Sequence, residues 1–117
     1  MKGETNASSY YHSFVLGLMV ELAGRYVLTS NRESGFGRYD IMLEPKDPGK
    51  KDNAIIIEFK VNNPKREKSL EETAEAALAQ IEEKKYDEVL KARKIPKERI
   101  KKYGFAFRGK EVLIGRK

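Results

Sequence analysis

The chain has 117 residues, with 24 Lys and Arg against 18 Asp and Glu, a formal net charge of +6, one His and no Cys. That length suits one domain with a single core; the missing cysteines exclude a disulfide framework, a thiolate nucleophile and a zinc–thiolate site, and the lone His12 excludes a multi-histidine metal centre. The basic excess favours a polyanionic partner, although solubility alone produces the same balance.

Residues 1–9 are small and polar and form a lead to a single domain over residues 10–117. Tyr10–Ala23 suits a helix. Tyr11, Val15, Leu18 and Leu22 share one face, and Leu16, Met19 and Ala23 carry the apolar surface round the back, which predicts burial on more than one side. Gly24 is the stop. The longest apolar run, Phe14–Val20, is far short of the roughly 20 residues a membrane span needs, and the start lacks the features of a signal peptide. No membrane association is expected, and the expected location is the cytosol.

Tyr26–Thr29 is strand-like, a turn with Gly35 and Gly37 follows, and Tyr39–Leu43 makes a second strand. Glu44–Asn53, with Pro45, Pro48 and Gly49, is a loop. Ala54–Ile57 then runs into Glu58-Phe59-Lys60, and three consecutive isoleucines predict a strand covered on both faces. Ser69 and Glu72 have capping-box spacing. They open a helix whose stripe is Leu70, Ala74, Ala77, Leu78 and Ile81, ending near Lys85 with a second short helix over Tyr86–Arg93. Tyr103–Phe107 and Val112–Ile114 alternate as strands around Gly109-Lys110, a type II′ hairpin turn. The order α-β-β-β-α-(α)-β-β predicts an α/β domain on one five-stranded mixed sheet flanked by helices.

The residues with chemical content are Asp40, Glu58 and Lys60. Glu58 and Lys60 are two apart on one strand and share a face, with Phe59 on the other. If the strand of Asp40 pairs so that it faces the same way, two carboxylates and an ammonium converge. Charges at the end of a buried strand cost several kcal/mol each to desolvate unless compensated, and a divalent cation compensates two carboxylates.

Asp40, seventeen intervening residues and Glu58-Phe59-Lys60 resemble the D…(D/E)-x-K signature of the PD-(D/E)XK nuclease superfamily. Tyr11-His12-Ser13, the block from Ser30 to Ile41 and the block from Gln80 to Tyr86 further resemble bacterial domains of that superfamily that lie C-terminal to AAA-type ATPase-like regions. The resemblance implies a restriction-endonuclease-like core, with Mg²⁺ or Mn²⁺ held by Asp40, Glu58 and the backbone carbonyl of Phe59. It places Lys60 at the attacking water or scissile phosphate, Gln80 on the helix side facing the same site, and a first-helix carboxylate, Glu21, as a further metal ligand. Recombination-type members carry a tyrosine four residues after the glutamine; Tyr86 comes six after Gln80, a departure that leaves it outside the expected site.

Arg32 and Arg38 flank the glycine turn that leads into Asp40 and are candidate phosphate contacts, since guanidinium binds phosphate in bidentate fashion. Lys84 opens the stretch to Lys102, which carries nine basic residues against three acidic ones, a candidate nucleic-acid edge. The expected activity is metal-dependent phosphodiester hydrolysis in nucleic acid, with DNA favoured. Its rivals are a non-cleaving nucleic-acid-binding module and a protein-interaction module of the same fold serving an ATPase-containing chain. Monomer and homodimer are both compatible with these residues.

Overall fold

The computed structural model describes residues 13–14, 16–32, 38–47 and 52–117. Residues 13–14 and 16–22 are helical, as helix α1, and a turn follows at 23–25. Strands β1 (Tyr26–Arg32), β2 (Arg38–Pro45) and β3 (Ala54–Val61) follow. Helices α2 (Leu70–Lys84) and α3 (Tyr86–Ala92) and a 3-10 turn at Lys97–Arg99 then lead to β4 (Ile100–Arg108) and β5 (Glu111–Arg116). The sheet order is β1-β2-β3-β4-β5. Only β3 and β4 are parallel, as their helical crossover requires. This is the expected α/β architecture, a five-stranded mixed sheet flanked by helices in the restriction-endonuclease-like manner. The polar lead, Tyr11, His12, Val15, the Gly35 and Gly37 turn and Pro48–Lys51 lie outside the described residues.

Strand alternation sorts the side chains onto two faces. On one face Tyr26, Ile41, Leu43, Ile57, Phe59, Phe105 and Phe107 form a core, against which Phe14, Leu18, Met19 and Leu22 of α1 pack. The Phe14 ring stands 5.7 Å from that of Phe105 and 5.4 Å from that of Phe107. On the other face Ala54, Ile56 and Ile100 meet Ile81 and Leu90, and Ala106 meets Leu70 and Ala74. Central β3 is therefore covered on both sides, as its isoleucines predict. Helix α1 is not: Leu16 and Val20 are 63% and 78% exposed, because the sheet reaches only the side that carries Phe14, Leu18 and Leu22. Among the described residues, no helix is long and apolar enough to cross a membrane.

Several strand boundaries differ from expectation: β1 runs past Thr29 to Arg32, and β5 spans Glu111–Arg116 and not only Val112–Ile114. Strand β2 continues through Glu44 and Pro45, which pair with Val27 and Tyr26; proline is tolerated at a strand terminus. Strand β4 starts at Ile100, not Tyr103, and pairs Ile100–Lys102 with Ala54–Ile56. The alternation is masked because Lys102 faces the helices, where its ammonium meets Glu82 of α2 at 2.9 Å and Asp87 of α3 at 3.6 Å.

The turns follow local chemistry. Ser69 caps α2 by accepting from the Glu72 N–H at 3.2 Å. Gly109 opens the β4–β5 hairpin at φ +62°, the positive value that a type II′ turn needs first. Helix α3 ends in a Schellman motif: Ile95 donates to the Leu90 carbonyl and Lys94 to that of Lys91, with Lys94 left-handed at φ 66°.

Gly104 fixes how closely α2 approaches. A Cβ there would stand 2.7 Å from the Ala74 carbonyl oxygen and 3.1 Å from the Ala77 Cβ. Gly104→Ala should therefore force α2 off the sheet and destabilise the fold by about 1–3 kcal/mol, the usual range for overpacking. Lys94→Gly should gain about 1 kcal/mol by relieving left-handed strain. Denaturant midpoints of the two variants against wild type check both.

Candidate active site

Asp40 and Glu58 are register partners across the antiparallel β2–β3 pair. Directly opposed residues on such a pair share a face, with Cβ atoms about 5 Å apart. The face is the one that α2 covers, since Ile56, two residues before Glu58, packs there. Asp40 is 3% exposed and Glu58 is fully buried. On the far side of Glu58 its partner is Gly104, whose missing side chain admits Ala77 and Leu78 of α2. The small residue on β4 thus brings the helix down beside the carboxylates.

The cation at this pair comes from α2. Lys84 Nζ donates to Asp40 Oδ2 at 2.8 Å and to Glu58 Oε1 at 3.4 Å. Tyr86 donates its hydroxyl to the same Asp40 oxygen at 3.1 Å, and its ring centroid lies 5.8 Å from the Lys84 nitrogen. These two side chains converge because Lys85 between them is left-handed, at φ 55°, and ends one helix while starting the next. In one continuous helix, residues two apart point about 200° away from each other.

Lys60 sits one pleat further along β3 and engages a different carboxylate, that of Glu67. Glu67 is buried in the loop before α2, where it also accepts from the Asn63 N–H at 2.9 Å and the Thr73 hydroxyl at 2.9 Å. Asn62 completes the network through Thr73, at 2.8 Å. Burial alone would raise the Glu67 carboxyl; the Asn63 N–H, Lys60 and Thr73 outweigh it and hold the pKa below its ordinary 4.5.

A family comparison fits this geometry. Residues 7–117 match the model of the PD-(D/E)XK nuclease superfamily. The chain belongs to that superfamily. No curated protein and no solved structure matches it.

Within this PD-(D/E)XK domain the other residues singled out in the sequence are distributed unevenly. Gln80 lies on the α2 side shared with buried Thr73 and Ala77 and with Lys84, but its amide donates to Glu83 on its own helix at 3.2 Å. Phe59 buries its ring on the opposite face, while its backbone stands between Tyr39 and Phe105. Glu21 is exposed on α1, across the sheet from the carboxylate pair. Arg38 is the register partner of Lys60, and Arg32 that of Tyr39. Lys84, expected at a nucleic-acid edge, instead has a side chain only 17% exposed and directed onto the carboxylates. Spacing also sets Tyr86 aside, yet its hydroxyl reaches Asp40. Glu67 gives no signal in the sequence, because its contact with Lys60 depends on the path of the intervening loop.

Among the described residues, no group of three or more His, Cys, Asp or Glu is placed to hold a metal. Two opposed carboxylates nevertheless fit Mg²⁺ or Mn²⁺. Hard oxygen donors suit these ions, and Mg²⁺ is commonly held by one or two carboxylates with water and phosphate oxygens completing the shell. Lys84 shows that one cation reaches an oxygen of each.

The depressed pKa of Glu67 stabilises the fold above its ordinary value of 4.5, and that stability is lost as pH falls through the lowered folded value. Glu82, held down chiefly by the hydrogen bond from Lys102, and Asp87, where Lys102 and Lys91 outweigh burial, act in the same direction. Melting temperature should therefore drop on acidification below about pH 4.5. Glu67→Gln should melt lower at pH 7 and show a shallower acid slope, measured by thermal melts across pH.

Proposed function

We propose that this domain is a divalent-metal-dependent nuclease that hydrolyses phosphodiester bonds in DNA, working in the cytosol. The observation that carries this reading is the buried Asp40–Glu58 pair, opposed across β2 and β3 with a single cation touching both. Asp40, Glu58 and the Phe59 carbonyl would hold Mg²⁺ or Mn²⁺, which when bound lowers the pKa of a water and polarises a phosphate oxygen. Lys60, held by Glu67 on the same face as Glu58, orients the attacking water and offsets negative charge that develops on the phosphate. Gln80, one turn from Lys84 on the same side of α2, supplies an amide for the substrate or the water. Glu21, expected as a further ligand, is no part of this centre, because α1 packs on the opposite face of the sheet.

Phosphate contacts are assigned to Arg32, Arg38 and the basic stretch that begins at Lys84. Within that stretch Lys102, Lys91 and Arg93 have acidic partners in Glu82, Asp87 and Glu44, and Lys85, Lys94, Lys97 and Lys101 stand exposed. The three sequence blocks from Tyr11, Ser30 and Gln80 support a place beside an AAA-type ATPase-like region in a longer chain.

A non-cleaving nucleic-acid-binding module is the second reading. It is favoured by two ion pairs: Lys84 already sits on the carboxylates, and Lys60 is already held by Glu67.

The deciding assay is cleavage of labelled duplex DNA, single-stranded DNA and RNA with Mn²⁺. Wild type should cut DNA, and Asp40→Asn, Glu58→Gln and Lys60→Ala should each lose on the order of a hundredfold or more. Intact DNA in every sample would favour the binding module. Binding in Ca²⁺ should weaken steeply with salt, and each exposed lysine replaced by Gln should flatten the slope by about one unit.

A further inference from the structure

Lys84 holds one oxygen of each carboxylate: Asp40 Oδ2 at 2.8 Å and Glu58 Oε1 at 3.4 Å from its nitrogen. An ion bridging those oxygens would bind each at about 2.1 Å and would need the volume that the ammonium fills. Both cations cannot be there together.

Charge favours the exchange. A divalent ion brings one more positive charge to the two carboxylates than the ammonium that it replaces. Lys84 also has somewhere to go. Its flexible stem starts in the last turn of α2, its nitrogen already lies 5.8 Å from the Tyr86 ring centroid, and its side chain retains 17% exposure. Lys60 does not compete for the same oxygens, because Glu67 holds it.

Resting on the nuclease reading above, we infer that Lys84 is the resident counter-cation of this site, that a divalent ion binds by displacing it, and that the displaced ammonium then serves beside the scissile phosphate as a second catalytic lysine. The site therefore remains compensated before metal arrives, and loading it moves a positive charge to where the anionic substrate docks. No bond is made or broken in the exchange; one cation replaces another.

The test compares wild type with Lys84→Met, measuring Mn²⁺ affinity by electron paramagnetic resonance and DNA cleavage at saturating Mn²⁺. Removing a competitor raises apparent affinity by the reciprocal of the fraction of sites it leaves open, so a lysine that occupies about nine sites in ten predicts about tenfold tighter Mn²⁺ binding by Lys84→Met. Its cleavage should fall by roughly a hundredfold, the usual loss for a charge that stabilises the transition state. Tighter metal with slower chemistry is the signature, since a merely structural lysine would lower both.

Unchanged or weaker Mn²⁺ binding by Lys84→Met, in a wild type that binds Mn²⁺ and cleaves, overturns this inference and leaves the nuclease reading intact. No Mn²⁺ binding by either protein overturns both. Should Lys84→Met fail to fold, acetylation of Lys84 in wild type, followed by mass spectrometry, decides the matter. Displacement should make that amine react several times faster with Mn²⁺ present, and equal rates overturn the inference.

Discussion

Two carboxylates facing each other inside a protein form an arrangement that the rest of the fold has to compensate. Asp40 and Glu58 are drawn together by backbone pairing, which takes no account of their charge, and are then covered by α2. Burying either charge alone would cost several kcal/mol, and opposing like charges adds repulsion. The crossover answers both problems at once. It brings the Lys84 ammonium and the Tyr86 hydroxyl to the pair, and it comes close enough to do so because Gly104 and Ala77 leave room.

A second polar centre lies on the same face and is independently balanced. Lys60 and Glu67 are both largely buried, and the Asn63 N–H and the Thr73 hydroxyl both donate to the carboxylate oxygen that Lys60 leaves. Its members come from β3, the following loop and the first turns of α2, so it ties the start of the helix to the strand while Lys84 ties the end. Helix α2 is thus held polar at both ends and apolar between, where Ala74, Ala77 and Ile81 are buried.

Much of this was legible in the chain. The isoleucine run gives the central strand, Ser69 and Glu72 give the start of α2, and the spacing of Asp40 from Glu58-Phe59-Lys60 gives the carboxylate pair. What escaped did so for identifiable physical reasons. Lys84 contacts residues 44 and 26 positions away, and no local pattern encodes such a partner. Tyr86 is set aside because it comes six residues after Gln80 and not four, and the left-handed Lys85 is what turns it onto Asp40 all the same. The start of β4 is hidden by Lys102, which reads as solvent-facing until Glu82 and Asp87 are seen beneath it. Helix α1 looks apolar all round, yet a single sheet face is all that it is given to cover.

The break at Lys85 has a mechanical consequence. Because Lys84 and Tyr86 flank a single residue and meet on one oxygen of Asp40, they behave as a two-pronged fork on a common handle. A sideways slip of the junction backbone shifts the bases of both prongs in concert, while the long lysine stem keeps rotations of its own. How the two prongs line up over the strands is therefore set by the backbone angles of one lysine.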